Sequence, residues 1–137
     1  MVEIQVAYLG QLRCDAKHGP SGTRLTTDAP VDNKGKGEAF SPTDLVATAL
    51  GTCMLTTMAI RTLDRAYPLD GATLVIEKHM TLAPPRRIDA LKVRIRVPRG
   101  AAIDAEGRAL LAHAAHHCPV RLSILDAIDV PVTIEWS

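Results

Sequence analysis

Two cysteines are the residues of this chain best suited to chemistry. Cys53 lies within the uncharged run of residues 45–60, and Cys118 comes directly before Pro119. A thiolate is a nucleophile and a metal ligand, and two thiols that meet in a fold can pass between dithiol and disulfide. We interpret these two distant cysteines as a redox pair that the fold assembles.

The predicted setting of Cys53 gives it little help with ionisation. Ser41 is a good N-cap and Pro42 suits the first helical position, so a long apolar helix is predicted from there to about Leu63. Cys53 would lie about three turns into this helix, beyond the reach of its dipole. Apolar surroundings disfavour a thiolate. A nucleophilic Cys53 therefore needs a cation or a hydrogen-bond donor from elsewhere in the fold.

Cys118 has a more favourable predicted setting. Pro119 is expected to open a short helix with Cys118 at its N-cap, where free backbone N–H groups can stabilise a thiolate. The alternative for any free cysteine on an apolar element is that of a small, inert core residue. Cys14 has no neighbouring signature and is predicted to be structural.

A metal site is the alternative chemistry near Cys118. His113 and His117 are four residues apart and share a helical face, with His116 and Cys118 beside them. No CxxC, HExxH or carboxylate cluster accompanies them, so the ligand set is incomplete. We predict no metal or other cofactor, and a role for the histidines at a helix C-terminus, which favours positive charge.

Composition narrows the class of protein. The chain has 137 residues, of which 47% are hydrophobic and 23% charged, with a net charge of +1. These values predict a single globular domain over residues 1–137 and argue against nucleic-acid binding. The start MVEIQVAYLG does not resemble a secretory signal, and the uncharged run is shorter than the ~20 residues of a membrane span. We therefore expect a cytoplasmic protein without membrane contacts.

The hydrophobic pattern predicts an α+β fold. Period-two alternation predicts strands, and the caps Ser41 and Asp104 predict the starts of two helices. A basic region spanning residues 86–99 is interpreted as the solvated face of a strand. The predicted strands cover about 2–8, 23–27, 74–80, 91–97 and 130–136, and the helices about 42–63, 105–117 and a turn or two from 119. The predicted order is β-β-α-β-β-α-α-β.

Two motifs resemble those of the OsmC/Ohr family of thiol-dependent peroxidases. SPTDLVATALGTC is similar to the family's opening of its central helix, with Cys53 in the position of the peroxidatic cysteine. Cys118-Pro119-Val120 is similar to the motif that holds the resolving cysteine. The resemblance covers nearly the whole chain, since the order of strands and helices also fits.

The resemblance implies a structure and a reaction. The structure is the OsmC-like fold, with antiparallel sheets wrapped around long central helices in an intertwined homodimer and the active sites at the interface. In the reaction, Cys53 attacks an organic hydroperoxide, an alcohol leaves, and the sulfenic acid condenses with Cys118 to a disulfide. A dithiol or lipoyl-type reductant then restores the thiols, and the attack needs no cofactor.

The chain departs from the family pattern around Cys53, which suggests a divergent branch. His18 stands where family peroxidases have an arginine, with Arg24 and Arg13 nearby but out of register. Thr43, followed by Asp44, stands where they have a glutamate. The candidate thiolate-stabilising residues are therefore His18, Arg24, Thr43 and Asp44. The alternative function is that of an OsmC-like small-molecule-binding or stress protein with little or no peroxidase activity.

Overall fold

The computed structural model describes residues 1–137 and has an α+β architecture with two three-stranded sheets. Its contacts divide the chain into two compact units, Met1–Val46 and Ala47–Ser137. The observed order differs from the predicted order by one additional strand near the start. The elements are β1 Ile4–Gly10, β2 Arg13–His18, β3 Arg24–Asp28, α1 Pro42–Arg61, β4 Thr73–Met80, β5 Ile88–Val97, α2 Ala105–His116, α3 Pro119–Ser123 and β6 Val132–Trp136.

The first unit contains an antiparallel meander in the order β1-β2-β3. Strand β2 was not predicted, because RCDAKH does not alternate and all six of its residues are half-buried. The β1–β2 turn places Gln11 and Leu12 at φ of 52° and 63°, in the left-handed region, without the Asn-Gly or Asp-Gly signal of tight hairpins. The β1 side chains lie at the surface of the chain, where Val6 is 66% and Leu9 60% exposed.

A buried aspartate organises the loop between β3 and α1. Asp28 is fully buried, and its carboxylate accepts the Glu38 N–H at 3.0 Å. Arg13 pairs with the Glu38 carboxylate and lies 3.6 Å from that of Asp28. The loop also requires glycine at position 35, because a Cβ there would lie 1.7 Å from the Ala29 carbonyl oxygen. This region, predicted as a polar loop, is therefore held in a defined conformation.

Helix α1 begins where the sequence predicts. The Ser41 hydroxyl accepts the Asp44 N–H at 3.1 Å, and the Asp44 carboxylate accepts the Ser41 N–H at 2.8 Å. This reciprocal pair is a capping box with aspartate in the third position. The helix ends at Arg61, two residues before the predicted end. By length and mean hydropathy alone α1 could cross a membrane, a test that the core helices of soluble proteins also pass.

The second unit has a sheet in the order β4-β5-β6. Strands β4 and β5 form the predicted antiparallel hairpin, whereas β6 pairs with β5 in parallel. The predicted alternation of β5 is confirmed. Lys92, Arg94 and Arg96 are exposed, and the basic region includes an Arg94–Glu77 ion pair of 3.0 Å. The opposite face of β5 buries Leu91, Val93, Ile95 and Val97.

The long helix contributes one face to the core of this unit. Its buried residues from Leu50 onward are Leu50, Gly51, Met54 and Met58. Gly51 permits close packing on β4, since a Cβ there would lie 2.9 Å from the Leu74 Cδ2 atom. The apolar composition of α1 led us to expect burial on several sides. Within the chain only one face is buried, and Ile60 is 63% exposed.

Candidate functional site

Cys53 lies on α1, on the border between its buried and exposed faces. The residue is half-buried, between Leu50 and Met54, which are fully buried. Its Sγ lies 3.9 Å from the Oγ1 of Thr57, one helical turn further along. This position leaves the sulfur partly accessible and gives it a hydroxyl neighbour.

Cys118 occupies the N-cap of α3, as predicted. Its backbone is extended, with φ −69° and ψ 151°, and Pro119 follows at the first helical position. Its Sγ accepts the Arg121 N–H at 3.4 Å, and the residue is fully buried. The sulfur therefore takes the place of the oxygen of a serine or aspartate N-cap.

The structure brings the two thiols together. Cys53 lies near enough to Cys118 to raise the pKa of that thiol, and both cysteines are free. Helix α1 supplies one sulfur, and the cap of α3 supplies the other. The two thiols are therefore neighbours in the fold, and their action as a redox pair stays a prediction.

The backbone N–H groups at the N-cap favour a Cys118 thiolate as expected, but burial of the sulfur has a larger opposite effect. Burial raises the pKa of Cys118 above its ordinary value, and the neighbouring Cys53 raises this pKa further. The N–H groups of Arg121 and Val120 lower the pKa without reversing the result. Loss of hydration outweighs the backbone donors, so Cys118 keeps its proton at neutral pH.

Comparison with known proteins identifies the family. The sequence pattern of OsmC-like proteins matches residues 35–135, which include both cysteines. The chain belongs to the OsmC-like family. The resemblance to OsmC/Ohr proteins noted from the two motifs is thereby confirmed.

Solved structures support the OsmC-like fold. A protein from Psychrobacter arcticus 273-4, provisionally described as an osmotic stress induced and detoxification response protein, is 41% identical with a TM-score of 0.90, covering 98% of this chain and 96% of that one. The organic hydroperoxide resistance protein OsmC from Legionella pneumophila is 18% identical with a TM-score of 0.72, covering 98% and 96%. OhrB of Bacillus subtilis, an organic hydroperoxide resistance protein, is 12% identical with a TM-score of 0.69, covering 98% of both chains. No curated protein sequence matches significantly.

Two of the candidate thiolate-stabilising residues lie on the first sheet or its turns, and each has a local partner. The Nδ1 of His18 lies 2.6 Å from the Oγ of Ser21. Arg24 forms an ion pair with Asp15, including an Nε–Oδ1 contact of 3.3 Å. Their assignment to the thiol chemistry stays a prediction.

The other two candidates, Thr43 and Asp44, belong to the first turn of α1. The Thr43 Oγ1 lies 3.2 Å from the Ser41 Oγ, and Asp44 completes the capping box. Their observed contacts thus support the start of the helix that carries Cys53. A role at the thiol stays a prediction for both residues.

Sequence reasoning missed Thr57 as a neighbour of Cys53. The signal that could have found it is the spacing of four residues, which places two side chains on the same helical face. A hydroxyl at this position can donate to a thiolate. Thr57 is therefore a candidate positioning residue for the Cys53 sulfur.

The histidines before Cys118 form a stacked pair. The rings of His113 and His117 have centroids 3.9 Å apart and an angle of 13° between their planes. The Nδ1 of His117 lies 2.9 Å from the His113 carbonyl oxygen. No group of three or more His, Cys, Asp or Glu side chains is placed to hold a metal ion. The observed contacts are those of a helix C-terminus.

Proposed function

We propose that this OsmC-like protein is a cysteine-based peroxidase that reduces organic hydroperoxides to alcohols in oxidative-stress defence. The observation that carries the proposal is that the half-buried Cys53 lies near enough to the buried Cys118 to raise its pKa. Two proteins of the same fold, from Legionella pneumophila and Bacillus subtilis, are described as organic hydroperoxide resistance proteins. The asymmetry in burial supports Cys53 as the attacking thiol and Cys118 as the resolving thiol.

The proposed cycle has three balanced steps. The Cys53 thiolate attacks the terminal peroxide oxygen, an S–O bond forms, the O–O bond breaks, and the alkoxide takes a proton and leaves as an alcohol. The sulfur of Cys118 then attacks the Cys53 sulfenic acid, an S–S bond forms, and the hydroxyl leaves with the Cys118 proton as water. A dithiol reductant, the lipoyl type included, reduces the disulfide and is itself oxidised to a disulfide.

Neutral donors support the Cys53 thiolate in this proposal. Because the pKa of Cys118 is raised by burial, its S–H persists at neutral pH and can donate to Cys53. The Thr57 hydroxyl, whose Oγ1 lies 3.9 Å from the Cys53 Sγ, can serve as a second donor. In this proposal, these neutral donors replace the arginine and the glutamate that the resemblance assigns to family peroxidases. Residues His18, Arg24, Thr43 and Asp44 stay candidates for a further contribution.

The test is consumption of an alkyl hydroperoxide with dithiothreitol as reductant. We expect Cys53→Ser to abolish turnover and Cys118→Ser to stop the formation of the internal disulfide while a sulfenic acid on Cys53 remains trappable with dimedone. Cys14→Ser is the matched control, since Cys14 lies on β2, and should retain full activity. Turnover that survives Cys53→Ser would refute the proposal.

We also propose that the working form is a cytoplasmic homodimer without nucleic-acid or membrane partners. Large hydrophobic side chains at the surface of the chain support self-association, among them Val6, Tyr8 and Leu9 on β1 and Ile60 on α1. Exposed apolar surface of this kind marks interaction sites. Sedimentation equilibrium of the purified protein tests the dimer, and a monomer at micromolar concentration would contradict it.

A second candidate function is small-molecule binding in a stress response, with little or no peroxidase activity. It is favoured by the local pairing of Arg13 with Glu38 and of Arg24 with Asp15, which engages both arginines considered for Cys53. Native mass spectrometry of freshly purified protein would detect a retained ligand. A ligand-free protein that turns over hydroperoxide rapidly would exclude this candidate.

A further inference from the structure

A pocket lies where the end of α2 meets α3 and the segment that follows it. Its volume is about 440 Å³, which suits a small organic molecule rather than a single water. Its lining combines imidazole, guanidinium, carboxylate and aliphatic groups, from His116, His117, Arg121, Leu122, Asp126 and Val130. The redox cycle proposed above uses none of these side chains.

Two side chains of opposite charge line this pocket. Arg121 and Asp126 both contribute to it, and they form no ion pair with each other. A guanidinium recognises a carboxylate through two parallel hydrogen bonds, and a carboxylate accepts hydrogen bonds from an ammonium. A ligand that carries both a carboxylate and an ammonium would therefore complement both residues.

His117 adds an acceptor with a fixed orientation. Its ring is stacked on that of His113, and its Nδ1 lies 2.9 Å from the His113 carbonyl oxygen. Because a carbonyl only accepts, Nδ1 must be the protonated nitrogen in this contact. In the tautomer that carries its proton on Nδ1, Nε2 is an acceptor. Together with Asp126, it offers a ligand ammonium two acceptors.

The remaining wall is aliphatic. Leu122, which is 69% exposed, and the half-buried Val130 line the same pocket. We propose that this pocket binds a free α-amino acid with an aliphatic side chain. Arg121 holds the carboxylate, Asp126 and His117 hold the ammonium, and Leu122 and Val130 contact the side chain.

The pocket shares residues with the segment that holds Cys118. His117 directly precedes this cysteine, and the Arg121 backbone N–H donates to its Sγ at 3.4 Å. A bound amino acid would therefore contact both neighbours of the buried thiol. The inference goes beyond the proposed peroxidase function and does not depend on it.

Isothermal titration of the full chain with L-leucine tests the proposal. We expect saturable binding of one molecule per chain. L-leucinamide lacks the carboxylate and 4-methylpentanoate lacks the ammonium, so each should bind at least tenfold more weakly, because charge-assisted hydrogen bonds are the strong ones. Absence of saturable L-leucine binding, or equal binding of either analogue, would overturn the proposal.

Matched variants locate the site. Arg121→Gln and Asp126→Asn should each weaken L-leucine binding at least tenfold, whereas Arg96→Gln and Asp89→Asn, on the exposed face of β5, should leave it unchanged. If Arg121→Gln fails to fold, Asp126→Asn and the two analogues still decide the question. Binding unaffected by both pocket variants would refute the site. Cys53→Ser should keep L-leucine binding even though peroxidase turnover is lost, which separates the two proposals.

Discussion

The two sheets of this protein have the same number of strands but differ in where their apolar side chains lie. In the second unit, β5 is the central strand and buries Val93, Ile95 and Val97. In the first unit, β1 is an edge strand and leaves Val6 66% and Tyr8 67% exposed. The comparison indicates that the second sheet buries its apolar face within the chain. The first sheet instead leaves apolar side chains at the surface, where they are suited to association.

The largest effect is expected from a charge in the core of the second sheet. Val93→Asp buries a carboxylate without a partner, a change that costs about 3–5 kcal/mol or more. We expect loss of the cooperative thermal transition, followed by circular dichroism. Val75→Asp, on the exposed face of β4, is the control and should melt nearly as the wild type does. A normally melting Val93→Asp variant would contradict the assignment of this face to the core.

The same substitution in the first sheet should act on association rather than on folding. Val6→Asp places a charge at an exposed position of β1, so the single chain loses little. If a second copy covers this strand, desolvation of the charge should weaken self-association at least tenfold, or about 1.4 kcal/mol. Sedimentation equilibrium measures the effect. Unchanged association with Val6→Asp would remove β1 from the dimer interface.

These comparisons show what the sequence could and could not predict. Alternation identified the buried face of β5, and the caps Ser41, Asp104 and Cys118 marked the starts of all three helices. These signals are local, because they depend on residues at most a few positions apart. Strand β2 was missed because its residues neither alternate nor follow a recognisable turn. The parallel pairing of β5 with β6 depends on chain path, which no local pattern records.

The site was predicted to a similar extent. The two motifs singled out Cys53 and Cys118, which are neighbours in the fold, whereas their catalytic roles stay a prediction. The effect of burial on the pKa of Cys118 could not be predicted, because it depends on how completely the folded chain removes water from the sulfur. Thr57 could have been predicted as a neighbour of Cys53, because residues four apart share a helical face.

An acid titration of stability should reveal the contribution of the buried Asp28 carboxylate in the first unit. Hydrogen bonding from the Glu38 N–H, followed by the charge of Arg13 and further backbone N–H groups, lowers the pKa of Asp28 against the opposing effect of burial. A carboxyl whose pKa is lower in the folded state than its unfolded value of about 3.9 stabilises the fold at pH values above that unfolded pKa. This stabilisation is lost as the pH falls through the pKa of the folded state. Asp28→Asn should lower the melting temperature at pH 7 and flatten the decline below about pH 4. An unchanged acid profile would show that Asp28 does not hold the loop.

An alkaline titration of stability should reveal the contribution of the buried Cys118 thiol in the second unit. This effect is expected to be the smallest of the four predicted effects. Because the pKa of Cys118 is raised, its proton is bound more tightly in the folded state. The resulting stability is present below the unfolded pKa of about 8.5 and is lost as the pH rises through the folded value. Cys118→Ser, which keeps a capping atom, should flatten this alkaline decline in melting temperature. Cys14→Ser should leave it intact, and the same flattening in both variants would disprove the assignment to Cys118.

The parallel pairing of β5 with β6 has a consequence for the order of events during synthesis. Strand β5 is complete at Val97, but its neighbour β6 ends at Trp136, so the second sheet closes late on the ribosome. Cys53 likewise emerges well before Cys118, its buried neighbour in the folded chain. At about 5–20 residues per second, the first thiol waits for roughly three to thirteen seconds. During that interval Cys53 lacks its neighbour Cys118, and its thiol is open to reaction with glutathione or to irreversible oxidation.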